Sequence, residues 1–121
     1  MPTSFALIIE DEESLGAIFS RVLAMAQFES EIICDGQAAL EQLASATPDL
    51  ILLDLHLPYI SGIELLHYIR NQERLRKTPV VMITADLLKA EEIQNKVDAI
   101  LIKPIGIQQL LEVANRFHPS D

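Results

Sequence analysis

Four short stretches of unbroken apolar sequence divide this chain: FALII at 5–9, LILL at 50–53, VVMI at 80–83 and AILI at 99–102. They do not alternate apolar with polar residues, so they read as strands buried on both faces, the condition of a parallel sheet covered by helices. A fifth run, ESEIIC at 29–34, is half polar and suits a sheet edge. Between the runs the apolar period changes to that of a helix. Leu15, Ile18, Phe19, Val22, Leu23 and Ala26 form one helical face. Asp35 and Gly36 open a second helix through Ala38, Leu40 and Leu43, and Pro48 closes that region. Ser61, Gly62, Ile63 and Glu64 have the form of a capping box, which starts a third helix through about Arg74. A shorter helix is expected between Asp86 and about Asn95, and Ile107, Leu110, Leu111 and Ala114 mark a last one. Strand and helix thus alternate five times. That pattern predicts an α/β fold, a doubly wound parallel sheet with right-handed crossovers and helices on both faces.

The length of 121 residues fits one domain, 1–121, with a single real core. No apolar run approaches the ~20 residues that cross a bilayer, and the first residues, MPTSFALIIEDEE, lack the basic region of a signal peptide. One cysteine, Cys34, rules out an internal disulfide framework. A soluble cytoplasmic protein without membrane insertion is the expectation. The net charge of −9 argues against direct nucleic-acid binding, because phosphate contacts need Lys or Arg patches. The nearest thing to a basic cluster, Arg70, Arg74, Arg76 and Lys77, reads as the solvated end of a helix. His56, His67 and His118 are scattered and offer no zinc-ligand spacing.

In a doubly wound sheet, ligands bind beyond the carboxyl ends of the strands. The first apolar run ends in Glu10, Asp11 and Glu12, the third in Asp54, the fourth in Thr84 and the fifth in Lys103. All of these are expected on one sheet edge. Each alone has a structural explanation: an acid after a strand caps a helix, a threonine ends a strand, a buried aspartate is hydrogen-bonded. Together they specify chemistry. Glu10, Asp11 and Asp54 crowd carboxylates that cannot all stay ionised without compensation. A hard divalent cation, magnesium or manganese, is the natural remedy. With an ammonium and a hydroxyl added, the set can stabilise a phosphoryl group arriving on Asp54.

Four segments carry a family resemblance: LIIEDEE at 7–13, LILLDLHLPYISGIELL at 50–66, VVMITAD at 80–86 and LIKPI at 101–105. Taken in order and at this spacing, the chain resembles a response regulator receiver domain, the phosphoacceptor half of two-component signalling. The resemblance implies a flavodoxin-like (βα)5 fold with strand order 2-1-3-4-5. It implies that Asp54 is phosphorylated, that Asp11 ligates magnesium directly, that Glu10 holds it through water, and that the backbone carbonyl of His56 is a further ligand. Thr84 would be the switch hydroxyl and Lys103 would pair with the phosphoryl group, with a cis bond to Pro104. The implied partners are a sensor histidine kinase or histidine phosphotransfer protein and an unidentified downstream protein, with a homodimer also open. The tail HPSD is too short for an output domain, so the expectation is a stand-alone regulator of the chemotaxis type; the N-terminal Met and that tail favour a complete chain over an excised one.

The chain departs from the family pattern in places. Ile100 stands where an aromatic residue commonly couples to the switch threonine. The segment from Thr84 to Lys103 is short and lacks the usual glycine before the last strand, having Asn95-Lys96-Val97-Asp98 there instead, which predicts a shortened or irregular fourth helix. His56 and Asp86 flank the site and can influence hydrolytic water, with His56 read as a solvent-facing rim histidine rather than a general base, while the small Ala85 leaves access open. An alternative keeps the same fold as an interaction module whose output is independent of phosphorylation. Two enzyme readings fare worse. A haloacid-dehalogenase-type phosphatase wants an acid where His56 stands, and a flavodoxin wants a Ser/Thr-rich loop where Glu10–Glu13 stand.

Overall fold

The computed structural model describes residues 4–119. Five strands alternate with five helices: β1 (Ser4–Ile9), α1 (Glu13–Met25), β2 (Phe28–Ile33), α2 (Gly36–Leu43), β3 (Leu50–Asp54), α3 (Gly62–Asn71), β4 (Val80–Thr84), α4 (Leu87–Ile93), β5 (Ala99–Ile102) and α5 (Ile107–Phe117). All four strand pairings are parallel and the order is β2-β1-β3-β4-β5, as expected from the resemblance. Among the described residues, no helix is long and apolar enough to cross a membrane.

The unbroken apolar runs fill two cores, one on each face. Leu7, Ile9, Ile51, Leu53, Val80 and Met82 point toward α2, α3 and α4, where Leu43, Leu65, Ile69 and Ile93 meet them. Ala6, Ile8, Leu50, Leu52, Val81 and Ile83 point the other way, onto Phe19, Val22 and Leu23 of α1 and Leu110 and Ala114 of α5. Side chains alternate between faces along a strand, so burying both faces requires an apolar residue at every position.

Helix ends follow local chemistry. Asp35 caps α2 by accepting from the Ala38 N–H at 2.8 Å, and Ser61 caps α3 by accepting from the Glu64 N–H at 3.2 Å. Gly62 is required by close packing: a Cβ there would lie 2.4 Å from the Asp54 carbonyl oxygen and 2.7 Å from the Leu55 Cα. The third helix stops at Asn71, earlier than the expected Arg74, because Gln72 is extended (ψ 119°) before a 3-10 turn over Glu73–Leu75 brings Leu75 into the core. The fourth helix is short as expected, with seven residues followed by a 3-10 turn at Gln94–Lys96.

Other expectations need correction. Ile18 is 48% exposed. The buried stripe of α1 runs through Gly16, Phe19, Val22 and Leu23, and residue 18 lies about 100° from Phe19 around the helix. The apolar run at 99–102 forms an edge strand, so Ala99, Ile100 and Ile102 are only partly buried. Arg70 is not a solvated helix end, whereas Arg74 is exposed but still reaches backbone carbonyls. Arg70 hydrogen-bonds the carbonyls of Arg76, Thr78 and Lys96, and Arg74 those of Leu43 and Ala46.

Candidate functional site

Strand register and parity bring the polar residues together. Ile9 pairs with Leu53 and Thr84 with Ile102, so the residues that follow emerge on the same sheet edge. Glu10, Asp54 and Lys103 continue the parity of Ile8, Leu52 and Leu101, which face α1 and α5. Thr84 continues the parity of Met82, toward α3 and α4. Lys103 is separated from β3 by β4, a span of about 10 Å in a sheet, and its long side chain crosses that gap.

The resulting contacts are short. The Lys103 ammonium lies 3.3 Å from Asp54 Oδ2 and 3.4 Å from Glu10 Oε1. Carboxylate oxygens of Glu10, Asp11 and Asp54 all lie within 4.8 Å of one another. Glu10 and Asp54 are buried, at 1% and 3% exposure, whereas Asp11 is exposed. Asp54 Oδ1 accepts from the His56 N–H at 3.1 Å, and Glu10 Oε2 accepts from the Glu12 N–H at 3.2 Å. The Lys103–Pro104 bond is cis.

Electrostatics mark Glu10 as the strained member. Burial, helped by the Asp54 charge, raises its pKa from 4.5 to about 7. Burial alone would lower the Lys103 pKa, but the Asp54 and Glu10 carboxylates together hold it above its ordinary value. The Cys34 thiol is pushed up by burial and by Glu13, Asp35, Asp11 and Glu10, so its nucleophilic thiolate is disfavoured.

The donor set fits a divalent cation on its own evidence. Glu10 Oε1 is buried without a hydrogen-bond partner, although Lys103 faces it as a charge. An orphaned carboxylate oxygen of this kind is costly, and hard oxygen ligands are what magnesium prefers. Two carboxylates and one ammonium inside, with a third carboxylate at the mouth, leave net negative charge for a cation to offset.

Thr84 is buried, and its Oγ1 accepts from the Asp86 N–H at 2.9 Å. His56 and Asp86 face each other across the rim, Nε2 to Oδ2 at 3.8 Å. Ala85 is exposed, and Ile100 packs half-buried against the α3–α4 core. Two features went unread in the sequence. Arg70 pairs with Asp98 at 2.9 Å, signalled only by an acid where the family more often has glycine. Tyr59, after Pro58, adopts φ 71° and is 89% exposed.

Comparison with known proteins agrees with this geometry. A family model described as the response regulator receiver domain matches residues 6–115. The polar-differentiation response regulator DivK of Brucella anthropi is 31% identical over 120 residues, covering 97% of both chains. DivK of Brucella ovis is 30% identical over 118 residues, covering 95% of this chain and 96% of its own. Among solved structures, the chemotaxis response regulator CheY4 of Vibrio cholerae superposes with a TM-score of 0.87 at 28% identity, over 97% of this chain and all of its own. The receiver domain of the Pseudomonas aeruginosa sensor histidine kinase PA1611 superposes with a TM-score of 0.86 at 25% identity, over 96% of this chain and 98% of its own; that structure has a magnesium ion coordinated in its active-site cleft.

Proposed function

The chain belongs to the response regulator receiver domain family, and from that premise we propose that Asp54 accepts a phosphoryl group from a phosphohistidine on a sensor histidine kinase or phosphotransfer protein. The observation that carries this reading is the convergence of Glu10, Asp11 and Asp54 within 4.8 Å, with Lys103 seated between the two buried acids. Asp11, Glu10, Asp54 and the backbone carbonyl of His56 would hold magnesium, or manganese. When bound, the ion supplies charge compensation for the transferring phosphoryl oxygens.

The residues of the chain supply the rest. A carboxylate oxygen of Asp54 forms a bond to phosphorus while the phosphorus–nitrogen bond to the donor imidazole breaks. The nitrogen keeps that electron pair and takes up a proton. The His56 N–H and the Lys103 ammonium orient the Asp54 carboxylate. As the phosphoryl group adds ~1.5 to 2 negative charges, Lys103 is placed to pair with its oxygens and the Thr84 hydroxyl to donate a hydrogen bond. Hydrolysis later returns phosphate and the Asp54 carboxylate, with water attacking phosphorus. His56 and Asp86, facing each other at 3.8 Å on the rim, would influence that water. Output then proceeds through contact with a downstream protein.

The test is direct. The protein is incubated with magnesium and acetyl phosphate, and intact mass is followed alongside a beryllofluoride titration. The expected result is an Asp54-dependent phosphoryl adduct that the Asp54→Asn variant cannot form. No adduct in either assay, or one that persists in Asp54→Asn, refutes the reading.

A further inference from the structure

The two ends of α4 are held very differently. Toward its C-terminal end, Ala90 and Ile93 are buried at 7% and 4% exposure; in its first turn, Leu87 and Leu88 are 66% and 75% exposed. The segment after α4 is gripped from α3. Arg70 donates through Nε to the Lys96 carbonyl at 3.1 Å and through Nη1 to the Arg76 and Thr78 carbonyls at 3.0 Å each. Its Nη2 donates to Asp98 Oδ2 at 2.9 Å, and that same oxygen accepts from the Val80 N–H at 2.8 Å. A planar guanidinium held through all three nitrogens cannot shift without losing several bonds together.

The N-terminal end hangs on Asp86. Its Oδ1 caps the helix by accepting from the Lys89 N–H at 3.0 Å, and its carbonyl accepts from the Ala90 N–H at 3.0 Å. Its own N–H donates to Thr84 Oγ1 at 2.9 Å. The residue that begins α4 is therefore bonded directly to the hydroxyl beside the phosphoacceptor site.

We propose that α4 is a hinged helix. The Arg70–Asp98 clamp fixes its C-terminal end, and phosphorylation acts on its N-terminal end through the Thr84–Asp86 bond, so the response is confined to residues 84–90 and stops short of 94–98. This regulation rests on the phosphoacceptor reading above. Rotation of Thr84 toward a phosphoryl group on Asp54 withdraws Oγ1 from the Asp86 amide. The cap loosens, and Leu87 and Leu88 shift with it. Ile100, half-buried against the α3–α4 core, offers no ring to move with the threonine. The clamp occupies the stretch where the expected glycine is missing, and it touches neither Asp54 nor a candidate metal ligand.

Amide hydrogen exchange on the full chain, with magnesium and with or without beryllofluoride, tests the hinge, while fluorine NMR reports adduct formation independently. With adduct formed, protection in residues 84–90 is expected to fall about tenfold and that in 94–98 to change less than about twofold. In Arg70→Ala the change is expected to spread through 94–98. Arg70→Lys, which keeps the charge but loses the fork, should spread it as well and serves if the alanine variant does not fold. Adduct formation with equal changes in both segments of the wild-type protein overturns the hinge and leaves the phosphoacceptor reading standing. So does a variant response identical to wild type. Absence of any adduct overturns the phosphoacceptor reading, and the hinge with it.

Discussion

Removing the Glu10 charge should change how the metal-free protein responds to pH, with a sign opposite to that of a salt-bridged acid. Glu10 is 1% exposed and protonates near 7, against 4.5 for an ordinary glutamate, chiefly because burial disfavours its charge. At about 1.36 kcal/mol per pH unit, that gap corresponds to roughly 3 kcal/mol. The folded state binds this proton more tightly than the unfolded state does. Its contribution is therefore fully present below about pH 4.5 and is lost as the pH rises through 7. Native stabilities of domains are only about 5–15 kcal/mol, so a term of this size is visible. For a chain of this length it corresponds to a Tm difference on the order of 10 °C. The assay is urea denaturation in EDTA between pH 4.5 and 8, on the wild-type protein and Glu10→Gln. Other titrating groups are common to both, so the difference between the two curves isolates Glu10. The Gln variant should gain on the wild type steadily across that window. Magnesium at pH 8 should erase much of the gap by stabilising the ionised form only in the wild type. At pH 6, calorimetry in buffers of different ionisation heat should register proton release on magnesium binding. Parallel stability curves for the two proteins would refute the burial argument.

Other substitutions report on separate parts of the structure. Gly62→Ala places a Cβ 2.4 Å from the Asp54 carbonyl oxygen; it should cost about 2–3 kcal/mol in urea denaturation and slow adduct formation on Asp54. Lys103→Met leaves two buried carboxylates without their cation, and phosphorylation by acetyl phosphate in magnesium should slow on the order of 100-fold, read by intact-mass time courses. Asp98→Ala removes the acceptor shared by Arg70 and the Val80 N–H, and should cost about 1–2 kcal/mol by thermal or urea denaturation. Asp35→Ala deletes the α2 cap at a cost of about 1 kcal/mol on the same measurement.

How much of this was legible in the sequence depends on the range of the interaction. The apolar runs announced buried strands because burial on both faces leaves no room for polar alternation, and the polar residues just after them announced the site because all four relevant strands end on one edge. Parity then explains what the one-dimensional list could not: Glu10, Asp54 and Lys103 share one face of the sheet, and Thr84 lies on the other. Helix caps at Asp35 and Ser61 were legible because a cap spans three residues. Arg70 was misread because two of its partners, at 96 and 98, are distant in sequence, and a charged side chain counts as solvated until a carbonyl is found beside it. β5 was over-read as fully buried, since an apolar composition does not say which strand closes the sheet. The left-handed backbone of Tyr59 carries no compositional signal in a residue that normally avoids it.

The departures from the family pattern converge physically. An aromatic at position 100 would give the end of β5 a ring to move; Ile100 gives it an aliphatic chain packed into the α3–α4 core. A glycine before β5 would leave that junction loose; Asp98 ties it to Arg70 and to the Val80 amide. A longer α4 would spread a disturbance along more turns; this one has seven residues and ends against the clamp. Each change alone weakens the usual path from the threonine to the β5 face. Together they tie residues 96–98 to α3 and β4 and leave the Asp86 cap, with the exposed Leu87 and Leu88 behind it, as the less anchored end of α4. A stiff frame with a single soft element concentrates a small local free-energy change at that element. On the proposed reading, a signal arriving at Asp54 would leave this protein close to where it enters, at the β4–α4 junction.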